Sequence, residues 1–225
     1  MRMTTWAIIL LMLSCKQKDQ KLVATTATTD TIASIASPVH QDTVSMTDTT
    51  AEPAKVPVNR LIVPGVSIGM IALDEPGEDV QKKLGTADDG DAAMGKSMGI
   101  WYSKSKAADG TRYSTTIYFV ANYGGKDERS RAKQMRITSP FFMTAEKISC
   151  GSSLAAIQQF FPLVKKAARY PSPVNKKMVY VYDDEKGGIA FEVNDKNQCV
   201  GIAIHLPGTQ AFATYLEFFS GFERL

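Results

Sequence analysis

Two histidines, three cysteines and two short acidic runs are the most reactive material in this chain. Cys199 and His205 are residue types that can act as nucleophile and base. Both fall on one predicted strand, whose alternation puts Val200, Ile202 and Ile204 on one face and Cys199 with His205 on the other. Six residues of extended chain hold the pair roughly 20 Å apart, which excludes a dyad within the strand. His205 therefore reads as a structural strand-end histidine, and His40 lies in a segment too featureless to hold geometry. Asp88-Asp89-Gly90-Asp91 lacks the alternating oxygens and distal Glu of a calcium loop and reads as a solvated turn. Asp183-Asp184-Glu185 reads the same way on a hairpin. Gly151-Ser152-Ser153 lacks the second glycine of a nucleophile elbow and reads as a helix start. No phosphate loop, zinc spacing or dinucleotide fingerprint is present. The expectation is no catalytic residue, no metal and no cofactor.

The elements that would position such groups must come from 225 residues, enough for one ordinary domain with extensions. A net charge of +3 gives no nucleic-acid footprint. A hydrophobic content of 44% supports a core and excludes a multi-span membrane protein.

Residues 1–14 read as a signal peptide, with Arg2 as the charged start and Trp6 to Leu13 as the apolar run. Eight apolar residues cannot cross a hydrocarbon core that needs roughly 20. Met12-Leu13-Ser14-Cys15 resembles a bacterial lipobox, which implies cleavage before Cys15 and acylation of its thiol and new amine. Two or three acyl chains suffice for stable anchoring. Lys16, not Asp, follows Cys15, and Gln17-Lys18-Asp19 resembles a surface-export signal of some Gram-negative lipoproteins. The resemblance implies the outer membrane, with the anchored chain facing the periplasm or the cell surface.

Residues 15–58 read as a lipidated, disordered tether. From Lys16 to Val58 there is no Gly and no aromatic residue, but nine Thr, three Ser and three Pro. Its scattered Ala, Val and Ile have no period, so no face can be buried and the ordering entropy is not recovered. As a free coil it would span roughly 36 Å. Asp30-Thr31-Ile32, Asp42-Thr43-Val44 and Asp48-Thr49-Thr50 are similar to a periplasmic O-glycosylation sequon, which makes Thr31, Thr43 and Thr49 candidate sites. Thr-rich composition alone would also raise the number of such matches.

Residues 59–225 hold all ten Phe and all eight Tyr. The order of elements in this part is the same twice. Val66-Ser67-Ile68-Gly69 recurs as Ile148-Ser149-Cys150-Gly151, about 82 residues later. Each is followed by a helical pattern, one with Pro76, Val80 and Leu84, the other with Leu154, Ile157, Phe160 and Phe161 after an N-cap at Ser152 or Ser153. Three strands then follow in each half: Ile100 to Tyr102, Thr115 to Val120 and Gln134 to Ile137, against Val179 to Tyr182, Ile189 to Val193 and Cys199 to His205. The expected architecture is α+β: two tandem helix-plus-three-stranded antiparallel meander repeats, about 64–140 and 146–207. A C-terminal helix, about 209–220, is expected from the stripe Ala211, Phe212, Tyr215, Leu216 and Phe219.

This pattern resembles the β-lactamase-inhibitor-protein-like fold, of which the small lipoproteins of the barrel-assembly machinery carry a single related unit. The resemblance implies a surface that docks protein partners. Leu84-Gly85-Thr86 lacks the Pro that often follows Leu-Gly there. Cys150 and Cys199 remain as an even pair, about 49 residues apart. In an oxidising compartment they would form either a disulfide, contributing on the order of 4 kcal/mol, or two buried free thiols. Tyr102, Tyr118, Tyr180 and Tyr182 are candidate binding-face aromatics, because exposed Tyr is favoured at interfaces. The expected function is a non-enzymatic, membrane-anchored module for a protein or envelope component, with the lipid bilayer as a further partner through Cys15. A structural subunit of an outer-membrane assembly complex is the alternative, and a hydrolase of envelope polymers the third.

Overall fold

Strands dominate the computed structural model, which describes residues 55–108, 110–213 and 219–225. These fall within one unit, Thr50–Leu225. The signal peptide, Cys15, the proposed sugar acceptors and almost all of the expected tether lie outside the described residues.

A single 3-10 turn at Val58–Arg60 leads into three short strands, β1 (Leu61–Val63), β2 (Ser67–Ile68) and β3 (Ile71–Ala72). Helix α1 (Gly77–Leu84) follows, with Glu78 and Asp79 in its first turn and Lys82 and Lys83 in its last, complementing the helix dipole. Gly85, at φ +81°, ends it. Strands β4 (Asp89–Ala93), β5 (Lys96–Lys106), β6 (Arg112–Val120) and β7 (Arg131–Ile137) then run as an antiparallel meander. After β8 (Met143–Thr144) comes α2 (Leu154–Phe160), capped by Ser153 Oγ, which accepts from Ala156 N at 3.2 Å. A second meander comprises β9 (Lys165–Pro171), β10 (Met178–Asp184), β11 (Ile189–Val193) and β12 (Cys199–His205), and β13 (Glu223–Arg224) closes the chain.

The two meanders share one sheet. Strand β12 pairs with β7, which gives nine antiparallel strands in the order β13-β9-β10-β11-β12-β7-β6-β5-β4. A four-stranded mixed sheet, β3-β2-β1-β8, is separate, with β1 and β8 parallel. The expectation of two helix-plus-three-stranded α+β repeats is therefore overturned: the described residues are mostly β, with 44% of them in strands and two short α-helices among them. Each meander has a fourth strand, and the halves merge by edge pairing. The expected C-terminal helix is not seen in the described part of its range; residues 211–213 form a turn, and 214–218 lie outside the described residues.

The large sheet has two apolar faces. On one, Ile117, Met135, Ile137, Phe191, Ile202 and Ile204 pack with Ile62 and Ile68 of the small sheet, Val80 of α1 and Ile157 of α2. Burying each such side chain contributes roughly 1.5–3 kcal/mol. The other face carries Ala168, Tyr170, Val179, Val181 and Ala190 under Ala211 and Phe212 of the C-terminal segment. A register shift near Glu192 and Val193 pairs Gly201 with Glu192 and Cys199 with Val193, skipping Val200. This bulge corrects the face assignment read from alternation. Cys199 joins Ile202 and Ile204 in the first core, and Val200 borders the second.

Candidate functional site

The C-terminal face of the large sheet holds a row of buried polar side chains, placed by alternation on β7, β10, β11 and β12. Glu192 sits amid Ile189, Ala190, Phe191 and Val193, all buried, so its charge must find a partner within the fold. That partner is Arg136 on β7, whose Nε donates to Glu192 Oε1 at 2.6 Å. Tyr170 on β9 donates its hydroxyl to Glu192 Oε2 at 2.8 Å. Phe219 stacks on the Tyr170 ring with centroids 4.6 Å apart, and the Arg136 guanidinium lies 5.7 Å from the Phe219 centroid.

A second polar group lies further along the same face. His205 Nε2 is 2.9 Å from Asp183 Oδ1, and Ala211 N donates to Asp183 Oδ2 at 2.9 Å. Gln134 Nε2 donates to Ala211 O at 2.6 Å. These bonds fasten the segment after β12 to the sheet. They also revise one expectation, since Asp183 is a buried acceptor and not a solvated turn residue; its partner His205 is structural. At 2% and 6% exposure, His205 and Asp183 are closed to a substrate.

Beside Phe219 the face opens into a cavity of about 820 Å³. Its walls include Tyr102, Arg112 and Tyr113 from one meander and Asn175, Lys177, Asn194 and Lys196 from turns of the other. The Arg112 guanidinium stacks 4.9 Å from the Tyr102 centroid, and its Nε donates to Ser103 O at 3.1 Å. Lys177 pairs with Asp195 at 3.0 Å. Arg112 and Lys196 make no ion pair among the described residues. An open hollow of about 720 Å³ lies towards α1 and β4, lined by Trp101 and Phe119 with Glu78, Asp89 and Asp91.

Of the residues singled out from the sequence, Tyr102 lines the cavity. Tyr118 is on the same sheet face but is buried. Tyr180 and Tyr182 alternate onto the opposite face, with Lys166 Nζ 4.2 Å and 5.7 Å from their respective ring centroids. The four tyrosines therefore do not form one surface. Cys150 and Cys199 are brought together, both buried and both free thiols. Gly151 N donates to Cys199 O and Cys199 N to Ser152 O, each at 2.8 Å, which aligns the two segments side by side. The hydrogen bond with Cys150 and burial push the Cys199 thiol well above its usual range. Asp89 and Asp91 belong to edge strand β4 and not to a turn, and no group of three potential metal ligands occurs among the described residues.

Arg112, Arg136, Tyr170, Glu192 and Lys196 were not singled out from the sequence. The one signal available was Glu192, a carboxylate set inside an apolar strand.

No family model matches the chain, and no curated protein matches it. A crystal structure of a DUF4309 family protein, YjgB, from Bacillus subtilis is similar at 10% identity and a TM-score of 0.37, over 63% of this chain and 88% of that one. A likeness of that size carries no argument about fold or activity.

Proposed function

We propose that this chain is a cell-envelope lipoprotein of the outer membrane, anchored through acylated Cys15, whose folded unit is a non-enzymatic binding module for an envelope component. The cavity beside Phe219 carries the reading. Its volume of about 820 Å³ is that of a ligand site, and its walls combine aromatic rings with many polar and charged side chains. The same walls are poor material for catalysis. The His205–Asp183 pair lies elsewhere beneath the C-terminal segment, and the acid in the lining, Asp195, is paired with Lys177. The lipobox and the featureless stretch to Val58 supply the anchor and reach of such a module.

The test is purification from native membranes in mild detergent, with mass spectrometry of what co-elutes and a chain ending at Val58 as control. A stoichiometric component that is lost in the control, and depleted by Arg112→Glu with Lys196→Glu, supports the reading. Turnover of peptides, glycans or esters by the purified protein overturns it. A Cys15→Ala protein that still fractionates with membranes overturns the anchor.

A further inference from the structure

Among the charged and asparagine side chains of the cavity, donors outnumber open acceptors. Asn175 Oδ1 is occupied by Lys177 N at 3.0 Å, and Asn194 Oδ1 accepts from Lys196 N at 2.9 Å and Gln198 N at 3.0 Å. Each amide is left with its Nδ2 donors, which have no partner among the described residues. Arg112 and Lys196 add two cations without an acidic partner there. Asp195, the acid in the lining, is already engaged by Lys177. A ligand that satisfies these walls must bring acceptor oxygens and negative charge.

Two further features narrow its class. Tyr102, Tyr113 and Phe219 give aromatic walls, against which the C–H face of a sugar ring can stack while its hydroxyls reach the amides. The terminal strands of the large sheet, β4 and β13, do not line the cavity, so an extended peptide would have to pair with the short stretches of β5 and β9 that they leave uncovered.

Resting on the binding-module reading, we infer that this cavity takes an acidic oligosaccharide, held through carboxylate or phosphate groups by Arg112 and Lys196 and through its hydroxyls by Asn175 and Asn194. Arg112 is pre-positioned by its stack on Tyr102, so little of its side-chain entropy is lost on binding.

Calorimetric titration of the full chain with trigalacturonate, maltotriose 1-phosphate, maltotriose and pentaglutamate tests this. One or both acidic sugars should bind, and which one does so separates carboxylate from phosphate recognition. Neutral maltotriose should bind at least about tenfold more weakly, since each charge-assisted contact has roughly that effect. Affinity should fall as salt rises from 0.05 to 0.3 M, as screening of partly exposed charges requires. Lys196→Gln, in an exposed turn, and Arg112→Gln should each weaken binding about tenfold at an unchanged melting temperature. Equal binding of maltotriose, or binding of pentaglutamate as tight as that of the acidic sugars, overturns the inference. If no probe binds while the double charge-reversal variant still loses its co-eluting component, the ligand class fails and the binding module stands. If neither responds, both fail.

Discussion

Arg136 and Glu192 meet at 2.6 Å across an intervening strand, passing over Gly201. Glu192 is opposite Gly201 in the β11–β12 ladder, and Arg136 is opposite Ala203 in the β12–β7 ladder. The pair is largely buried, with side-chain exposures of 12% and 1%. Removing one partner of such a pair strands a charge in the interior. Glu192→Ala is therefore expected to cost about 3–5 kcal/mol in urea unfolding, whereas Arg136→Met with Glu192→Leu loses much less. Equal losses in the single and paired variants would refute the stranded-charge account.

Gly201 is what lets that contact form. A Cβ there would stand 2.5 Å from Glu192 Oε2 and 3.2 Å from Arg136 Nη2. Gly201→Ala should cost about 1–3 kcal/mol by overpacking. In the Glu192→Ala background the obstruction is gone, so the two losses should be less than additive. Strict additivity in the double-mutant cycle would show that Gly201 acts through its own backbone instead.

Asp183 holds the C-terminal segment through two oxygens, one beside His205 Nε2 and one accepting from Ala211 N. Asp183→Ala should leave Ala211 N and His205 without that acceptor and free the segment after β12. Limited proteolysis read by mass spectrometry should then show faster cleavage between Leu206 and Ala213. An unchanged cleavage rate would mean that the Gln134 bond to Ala211 O and the packing of Ala211 and Phe212 hold the segment without Asp183.

Cys150 and Cys199 lie together and are both buried. Neither should react with iodoacetamide in the native reduced protein, because the thiols are buried and Cys199 resists ionisation. Refolding in the presence of diamide, which reaches the thiols before the fold encloses them, should yield an intramolecular Cys150–Cys199 cross-link, as their backbone pairing brings the segments together. Two alkylatable thiols after that treatment would show that the geometry does not permit the bond.

The sequence carried the elements better than their assembly. Val179 to Tyr182, Ile189 to Val193 and Cys199 to His205 are β-rich runs bounded by Gly and Asp turns, and all fall within strands. The Ser152-Ser153 pair and Ile157 marked α2 for the same local reasons, and the fold takes Ser153 as the cap. Strand β4 reads Asp-Gly-Asp-Ala-Ala, which has low strand propensity and is held by pairing with β5 alone. The small sheet has strands of only two or three residues, too short for a period. The β7–β12 pairing that fuses the meanders is long-range, and no local pattern encodes it. The candidate site follows suit. Tyr102 could be singled out as an aromatic, but Arg112 and Lys196 are ordinary surface cations until the fold gathers them around one cavity.

The loop between β6 and β7 carries a pH dependence of definite sign. Hydrogen bonds from Arg129 and Arg131 hold the Asp127 carboxyl far below its ordinary value of 3.8. A carboxyl whose folded value is depressed binds its proton more weakly folded than unfolded, so it stabilises the fold above the unfolded value. That contribution is lost as pH falls from about 4 through the depressed folded value. Asp127→Asn should lower the urea midpoint at pH 7, and its deficit against wild type should shrink between pH 4 and pH 2. High salt should also shrink the deficit, because the pair is open to solvent. A deficit that stays constant over that range would assign the effect to the neutral hydrogen bond with Arg129 N, which the asparagine side chain retains only in part.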